Sequence, residues 1–186
     1  MMNTVTPGLP FTEILEQGFA ALQTCNKGMP AWFNETCSRA FDVFRLEGFP
    51  ARKNENYKYT FLEPFFTSVY KIQESPEEVG IATEEIFRCD VPELNTHLIL
   101  LINGFYHGKE LLKVLPEGVI IGSLREAIKQ HPSLVKKHYG RYTALMNDPF
   151  AELNLALSSD GFFMYIPDGV QFDTPVQIIN IALNKD

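Results

Sequence analysis

Metal binding, nucleophilic attack and proton transfer begin with histidine, cysteine and carboxylate side chains, and here their spacing gives none of these chemistries a foothold. The four histidines, His97, His107, His131 and His138, lie in separate segments, and only His131 and His138 come close, one on each side of Pro132. The three cysteines, Cys25, Cys37 and Cys89, form no CxxC pair. A zinc site would be announced by short-spaced Cys or His pairs, since two ligands on one turn deliver half of a tetrahedral shell at once. Lone histidines and packed thiols are the simpler reading. The sequence contains no Gly-x-Ser-x-Gly elbow and no GxxxxGK[ST] loop; Gly118-Val119-Ile120-Ile121-Gly122 lacks both the lysine and the spacing that cradles a phosphate. With 23 Asp and Glu in the chain, some carboxylates meet by chance, and no pair stands out as an acid and its base. No catalytic, cofactor-binding or metal-binding residue is therefore nominated.

One basic and aromatic stretch interleaves: Arg52, Lys53 and Lys58 among Tyr57, Tyr59 and Phe61. That composition can track a nucleic-acid backbone and stack bases. Net charge is -7, however, which opposes broad attraction to nucleic acid or to an anionic membrane surface. The simpler reading is that the aromatics anchor the segment while the Arg and Lys stems lie over it and pair with Glu55 or Glu63. Lys136-Lys137-His138 reads in the same way as the wet face of a short helix. No nucleic-acid or membrane partner is expected.

The elements that must position these residues are mixed. Hydrophobic residues make up 45% of the 186-residue chain, with 15 Phe and 7 Tyr, a folded composition. Phe11, Ile14, Leu15, Gly18, Phe19 and Leu22 mark one helical face. After Gly28 and Pro30, a second stripe of Trp32, Phe33, Ala40, Phe41 and Phe44 runs to Gly48, predicting a helical hairpin over 10–47. The Glu-rich segment 73–85 reads as a solvated connector. His97–Ile102, the Asn103-Gly104 turn and Phe105–His107 predict a β-hairpin. Val119–Ile121 is a further strand, and Ser123 with Glu126 has capping-box spacing for a helix to about His131. Short helices follow up to Gly140, and Pro149 opens another. Beyond Asp160-Gly161 the chain lays down strands in quick succession, punctuated by Pro167-Asp168-Gly169. A compositional shift at Asp148-Pro149 suggests a mixed first domain, 1–148, holding the helical hairpin 10–47 and the hairpin and short helices of 97–140. Residues 149–186 would then form a separate β region. No apolar run approaches the ~20 residues of a membrane span, and the expectation is a soluble, cytoplasmic protein.

Three blocks, in order, resemble one family. Pro50, Arg52, Lys53, Glu55, Tyr57, Lys58, Tyr59 and Thr60 are similar to the amino-terminal signature on the SufD side of the SufB/SufD family of iron-sulfur cluster assembly proteins. Asn103-Gly104, followed by Leu115-Pro116-Glu117-Gly118-Val119, matches its strand-turn block. Asn154, Asp160-Gly161, Pro167 and Gly169 resemble the entry to its β-helix core. Tyr57 stands where the family usually has Trp, which keeps an aromatic anchor.

The resemblance implies an α+β fold: a small mixed helical and β amino-terminal domain, then, from 149 on, the first strands of a right-handed parallel β-helix that this chain truncates. It implies a scaffold subunit rather than an enzyme, paired with a SufB-like partner and a SufC-like ATPase through regions mostly beyond residue 186. The iron-sulfur cluster would belong to the full complex, with no cofactor held here and no cysteine promoted to a ligand. A cupin-like or solenoid-type enzyme or ligand-binding domain is the alternative, although 160–186 contains no His or Glu to serve it. The final strand, 176–183, is expected to be disordered, paired with a second copy, or packed back on the first domain.

Overall fold

Leu15, Gly18 and Leu22 recur at the spacing of one helical face, and they are the buried residues of α1, Phe11–Cys25. The structure, a computed structural model, describes residues 11–50, 54–62, 64, 66, 72–73, 75–76, 96–107 and 114–183. A single 3₁₀ turn at Asn26–Gly28 leads to Pro30, and α2 runs from Ala31 to Glu47 with Phe33, Cys37, Ala40, Phe41 and Phe44 buried along one stripe. Both expected helices are present. Gly18 earns its place by contact: a Cβ there would lie 2.9 Å from the Cβ of Ile72, so only glycine lets that residue close on α1.

Chain contacts divide the protein into two units, Met1–Glu74 with Pro132–Ser158, and Ser75–His131 with Ser159–Asp186. The first is helical. Besides α1 and α2 it holds α4 (Pro132–Lys136), α5 (Thr143–Met146) and α6 (Pro149–Ala156). Asp148 caps α6 by accepting from the Phe150 N–H at 2.9 Å, and Pro149 occupies the first turn, where its missing N–H costs nothing. Leu153, Leu155 and Ala156 then share a core with Leu15, Ala40, Phe41 and Phe44. Aromatic stacking tightens it, with Phe19 4.1 Å from Phe41, centroid to centroid.

The second unit contains β1 (His97–Ile102), β2 (Phe105–His107), β3 (Ile120–Ser123), α3 (Leu124–Gln130), β4 (Phe162–Tyr165) and β5 (Val176–Ile181). One sheet has the order β2-β1-β5 and the other pairs β3 with β4. β1 and β2 form the expected antiparallel hairpin, with Ile102 opposite Phe105. The turn has Asn103 at φ 49° and Gly104 at φ 85°, the left-handed pair that a type I′ hairpin requires. β1 also pairs with β5, in parallel, His97 facing Val176 and Ile102 facing Ile181. All six β1 residues are buried, as suits a central strand covered on both faces. Ile99, Val119 and Ile121 form the core on one side with Phe162, Met164 and Val176, and Leu100 and Ile102 pack with Ile179 and Ile181 on the other.

The fold is thus α+β. Two features depart from the sequence-based expectation. The proposed boundary at 148/149 falls inside the helical unit, because the shift in composition marks the capped start of α6, whose apolar face belongs with α2. The strands after Asp160 do not stand apart either: β4 pairs antiparallel with β3, and β5 joins β1. The last strand, β5, lies against β1, within the stretch assigned to the first domain. The connector 73–85 and Cys89 lie mostly outside the described residues, as do Arg52 and Lys53.

Candidate functional site

Among the described residues, three of the nominated side chains act as anchors, Tyr57 in the helical unit and Asn103 and Asp160 in the β unit. In the helical unit, Asn54 opens a 3₁₀ turn over Glu55–Tyr57 by accepting from the Asn56 N–H at 3.0 Å. The turn aims the Tyr57 ring at α6. Its hydroxyl lies 2.8 Å from each carboxylate oxygen of Asp148, and its ring is 5.5 Å from that of Phe150. Asp148 thereby caps its helix and holds the motif segment with the same carboxylate. Desolvation, reinforced by the hydrogen bond to Asp148 and its negative charge, pushes the Tyr57 phenol up to about 12. Such a phenol holds its proton at neutral pH and is a donor, not a base. The Thr60 N–H closes the segment on the Tyr57 carbonyl at 2.9 Å. Pro50 is partly buried, Glu55 and Lys58 are exposed, and Tyr59 is 93% exposed with the Lys58 ammonium 5.6 Å from its ring. Asn154 sits on the exposed side of α6.

In the β unit the hub is Asp160. One carboxylate oxygen accepts from the Ser123 hydroxyl at 2.7 Å and from the Arg125 N–H at 3.0 Å; the other accepts from the Tyr106 N–H at 3.0 Å. Ser123 also accepts from the Glu126 N–H at 3.2 Å, the cap expected from the sequence. Asp160 therefore ties β2, the start of α3 and the entry to β4 at one point. Its neighbour Gly161 accepts from the Leu124 N–H through its carbonyl at 3.0 Å. Pro167 packs where a side chain at Gly118 would be, 2.9 Å away, and Gly169 takes φ 78° in the turn that brings the Val170 N–H onto the Pro167 carbonyl. Asn103 reaches the far end of β5: its amide donates to the Leu183 carbonyl at 3.1 Å and accepts from the Leu183 N–H at 2.8 Å, while its own N–H bonds the Ile181 carbonyl.

The partners Asp148 and Ser123 were not among the nominated residues. Ser123 reads as a helix cap and Pro149, next to Asp148, as a helix start, but a cap residue gives no sign in sequence of the second, distant group that it holds. Among the described residues no group of three or more His, Cys, Asp or Glu is placed to hold a metal ion. Cys25 is exposed and Cys37 is fully buried; burial pushes the Cys37 thiol up to about 11, leaving little of the reactive thiolate at neutral pH. Among the described residues no helix is long and apolar enough to cross a membrane.

Residues 17–178 match the family model described as the SufBD protein N-terminal region. The chain belongs to the SufBD family. It is 29% identical over 167 residues to the iron-sulfur cluster assembly SufBD family protein ABCI9 of Arabidopsis thaliana, covering 81% of this chain and 36% of that protein. It is 23% identical over 157 residues to the iron-sulfur cluster assembly protein SufB of Bacillus subtilis, covering 82% and 30%. A shorter match to the Synechocystis SufBD family protein slr0074 is 44% identical over 59 residues. The chain spans about a third or less of the length of these SufBD relatives.

Proposed function

We propose that this chain is the amino-terminal part of a SufD-like scaffold subunit, working with a SufB-like partner and a SufC-like ATPase to build iron-sulfur clusters and pass them on. The observation that carries the reading is the SufBD match over residues 17–178, together with relatives named for iron-sulfur cluster assembly. In this reading the cluster is cargo of the whole cytoplasmic complex, and this region supplies architecture without catalysis. The anchoring roles of Tyr57, Asn103 and Asp160 support it: each of these three side chains holds backbone or a neighbouring element.

The β-helix belongs to the same proposal. β5 lies in parallel on β1 and forms the edge of its sheet among the described residues, so a further parallel strand has a template of backbone N–H and C=O groups to continue on. Co-expression with SufB-like and SufC-like partners tests the proposal, comparing affinity capture by this chain with capture by a form extended to the length of its relatives. The extended form is expected to retain both partners and this chain to retain no SufC. Capture of SufC by the 186-residue chain, or failure of the extended form to capture SufB, would sink it.

A further inference from the structure

We propose that residues 136–146 form a docking face for an acidic, apolar-studded segment of a partner protein. The face stands on its own charge and exposure and does not depend on the scaffold reading. Between Glu126 and Asp148 the chain has no carboxylate, yet it carries Lys129, Lys136, Lys137 and Arg141, in a protein of net charge -7. Lys136, Lys137, His138 and Arg141 are all exposed. The ion pairs among the described residues join Arg45 to Glu16 and Asp42, and Lys129 to Glu126, so Lys136, Lys137 and Arg141 have no carboxylate partner there.

Beside these cations lie large apolar side chains turned to solvent: Tyr142 is 60% exposed, Leu145 80% and Met146 60%. Single exposed apolar residues are ordinary, but three within five positions on one short turn and helix make a patch. Tyr, Met and Arg are the residue types that interface centres favour. The backbone beneath is held firmly. Val135 is buried, Tyr139 packs 5.5 Å from Phe33 and 6.1 Å from Trp32, and a Cβ on Gly140 would lie 2.8 Å from Thr36. With Val135 buried and Tyr139 packed on Trp32 and Phe33 of α2, residues 136–138 and 141–142 are left exposed. His138 Nδ1 lies 3.2 Å from the Tyr142 hydroxyl, linking the basic and apolar halves.

Charge complementarity selects the occupant. Carboxylates on the partner would answer Lys136, Lys137 and Arg141, and its apolar side chains would cover Leu145 and Met146. An anionic bilayer offers similar chemistry but meets the whole protein, whose net charge is repulsive. A peptide-sized segment meets only the local field, within a screening length of about 8 Å.

The test is fluorescence anisotropy of the intact chain with a short fluorescein-labelled peptide in which Glu and Asp alternate with Leu and Phe at helical spacing. Phosphatidylcholine vesicles containing phosphatidylserine, and an all-Glu peptide, serve as competing arms. Binding is expected to weaken roughly tenfold or more in the Lys136→Glu, Lys137→Glu, Arg141→Glu variant. A severalfold loss is expected in Leu145→Ser, Met146→Ser, and no change in Lys58→Glu. All the replaced side chains are exposed, and thermal melting by circular dichroism checks that each variant is folded. Amide shift mapping on the unsubstituted protein gives a second readout, with perturbations expected at 136–146. Absence of peptide binding, equal binding by the charge-reversed variant, equal binding of the all-Glu peptide, vesicle binding in place of peptide binding, or perturbations elsewhere would each overturn the proposal.

Discussion

Asp160 accepts three hydrogen bonds from groups that β2, β3 and α3 would otherwise leave unsatisfied at a crowded corner. Hydrogen bonds to a charged acceptor contribute more than neutral ones, so Asp160→Ala is expected to cost roughly 2–4 kcal/mol, read as a lower midpoint in urea unfolding. Asp160→Asn keeps the shape but turns an amide N–H toward donors, and should recover only part of the loss. Tyr57 makes a similar argument with a pH signature. Its phenol is held neutral up to about 12 in the fold against 10 for the free group. As pH rises from 10 to 12 the unfolded chain gives up this proton while the folded chain keeps it, so the contribution is complete below 10 and falls away across that window. Tyr57→Phe is expected to lose roughly 1–2 kcal/mol at neutral pH and to show a shallower alkaline decline; an unchanged slope would mean that the fold does not hold the proton on Tyr57.

At the scale of elements, sequence carried most of the helices and strands and little of their pairing. The stripes of α1 and α2, the Asn103-Gly104 turn and the Ser123 cap are local signals, set by spacing within a few residues. The continuous apolar run of β1 is the other side of the matter. Such a run says that both faces are covered but not by what, and its parallel partner is β5, with His97 facing Val176 across a long intervening stretch of chain. Asn103 shows how a local motif acquires a distant duty, for the residue that makes the turn also clamps Leu183. Asn103→Ala removes both amide contacts and puts a methyl side chain at φ 49°, where Asn is tolerated far better than Ala. A loss of roughly 2–3 kcal/mol is expected, with faster hydrogen exchange at the Leu183 amide. Exchange at Leu183 that is no faster than in the unsubstituted chain would show that β5 does not depend on the clamp.

For the whole molecule, the chain's path decides what can be cut. Each unit is built from two separated stretches: the chain leaves the helical unit near residue 74, returns at 132 and leaves again at 158. The compositional shift at 148/149 looked like a boundary because a capped helix start and a domain start share the same signals, a helix-capping Asp followed by Pro. Energetics separate the two cases. Truncation after Asp148 would strip α6 from the core that Leu153, Leu155 and Ala156 share with Ala40, Phe41 and Phe44. Exposing two buried leucines alone costs several kcal/mol at roughly 1.5–3 kcal/mol each, a large share of the roughly 5–15 kcal/mol by which domains are stable. It would also remove β4 and β5, leaving β1 without its parallel neighbour and β3 without its only partner among the described residues. A 1–148 chain is therefore expected to lose cooperative unfolding and to bind a dye for exposed apolar surface, whereas a true domain boundary would leave it folded. Circular dichroism melting of the 1–148 and 1–186 chains side by side decides between them, and a sharp transition in the shorter chain would restore the boundary at 148.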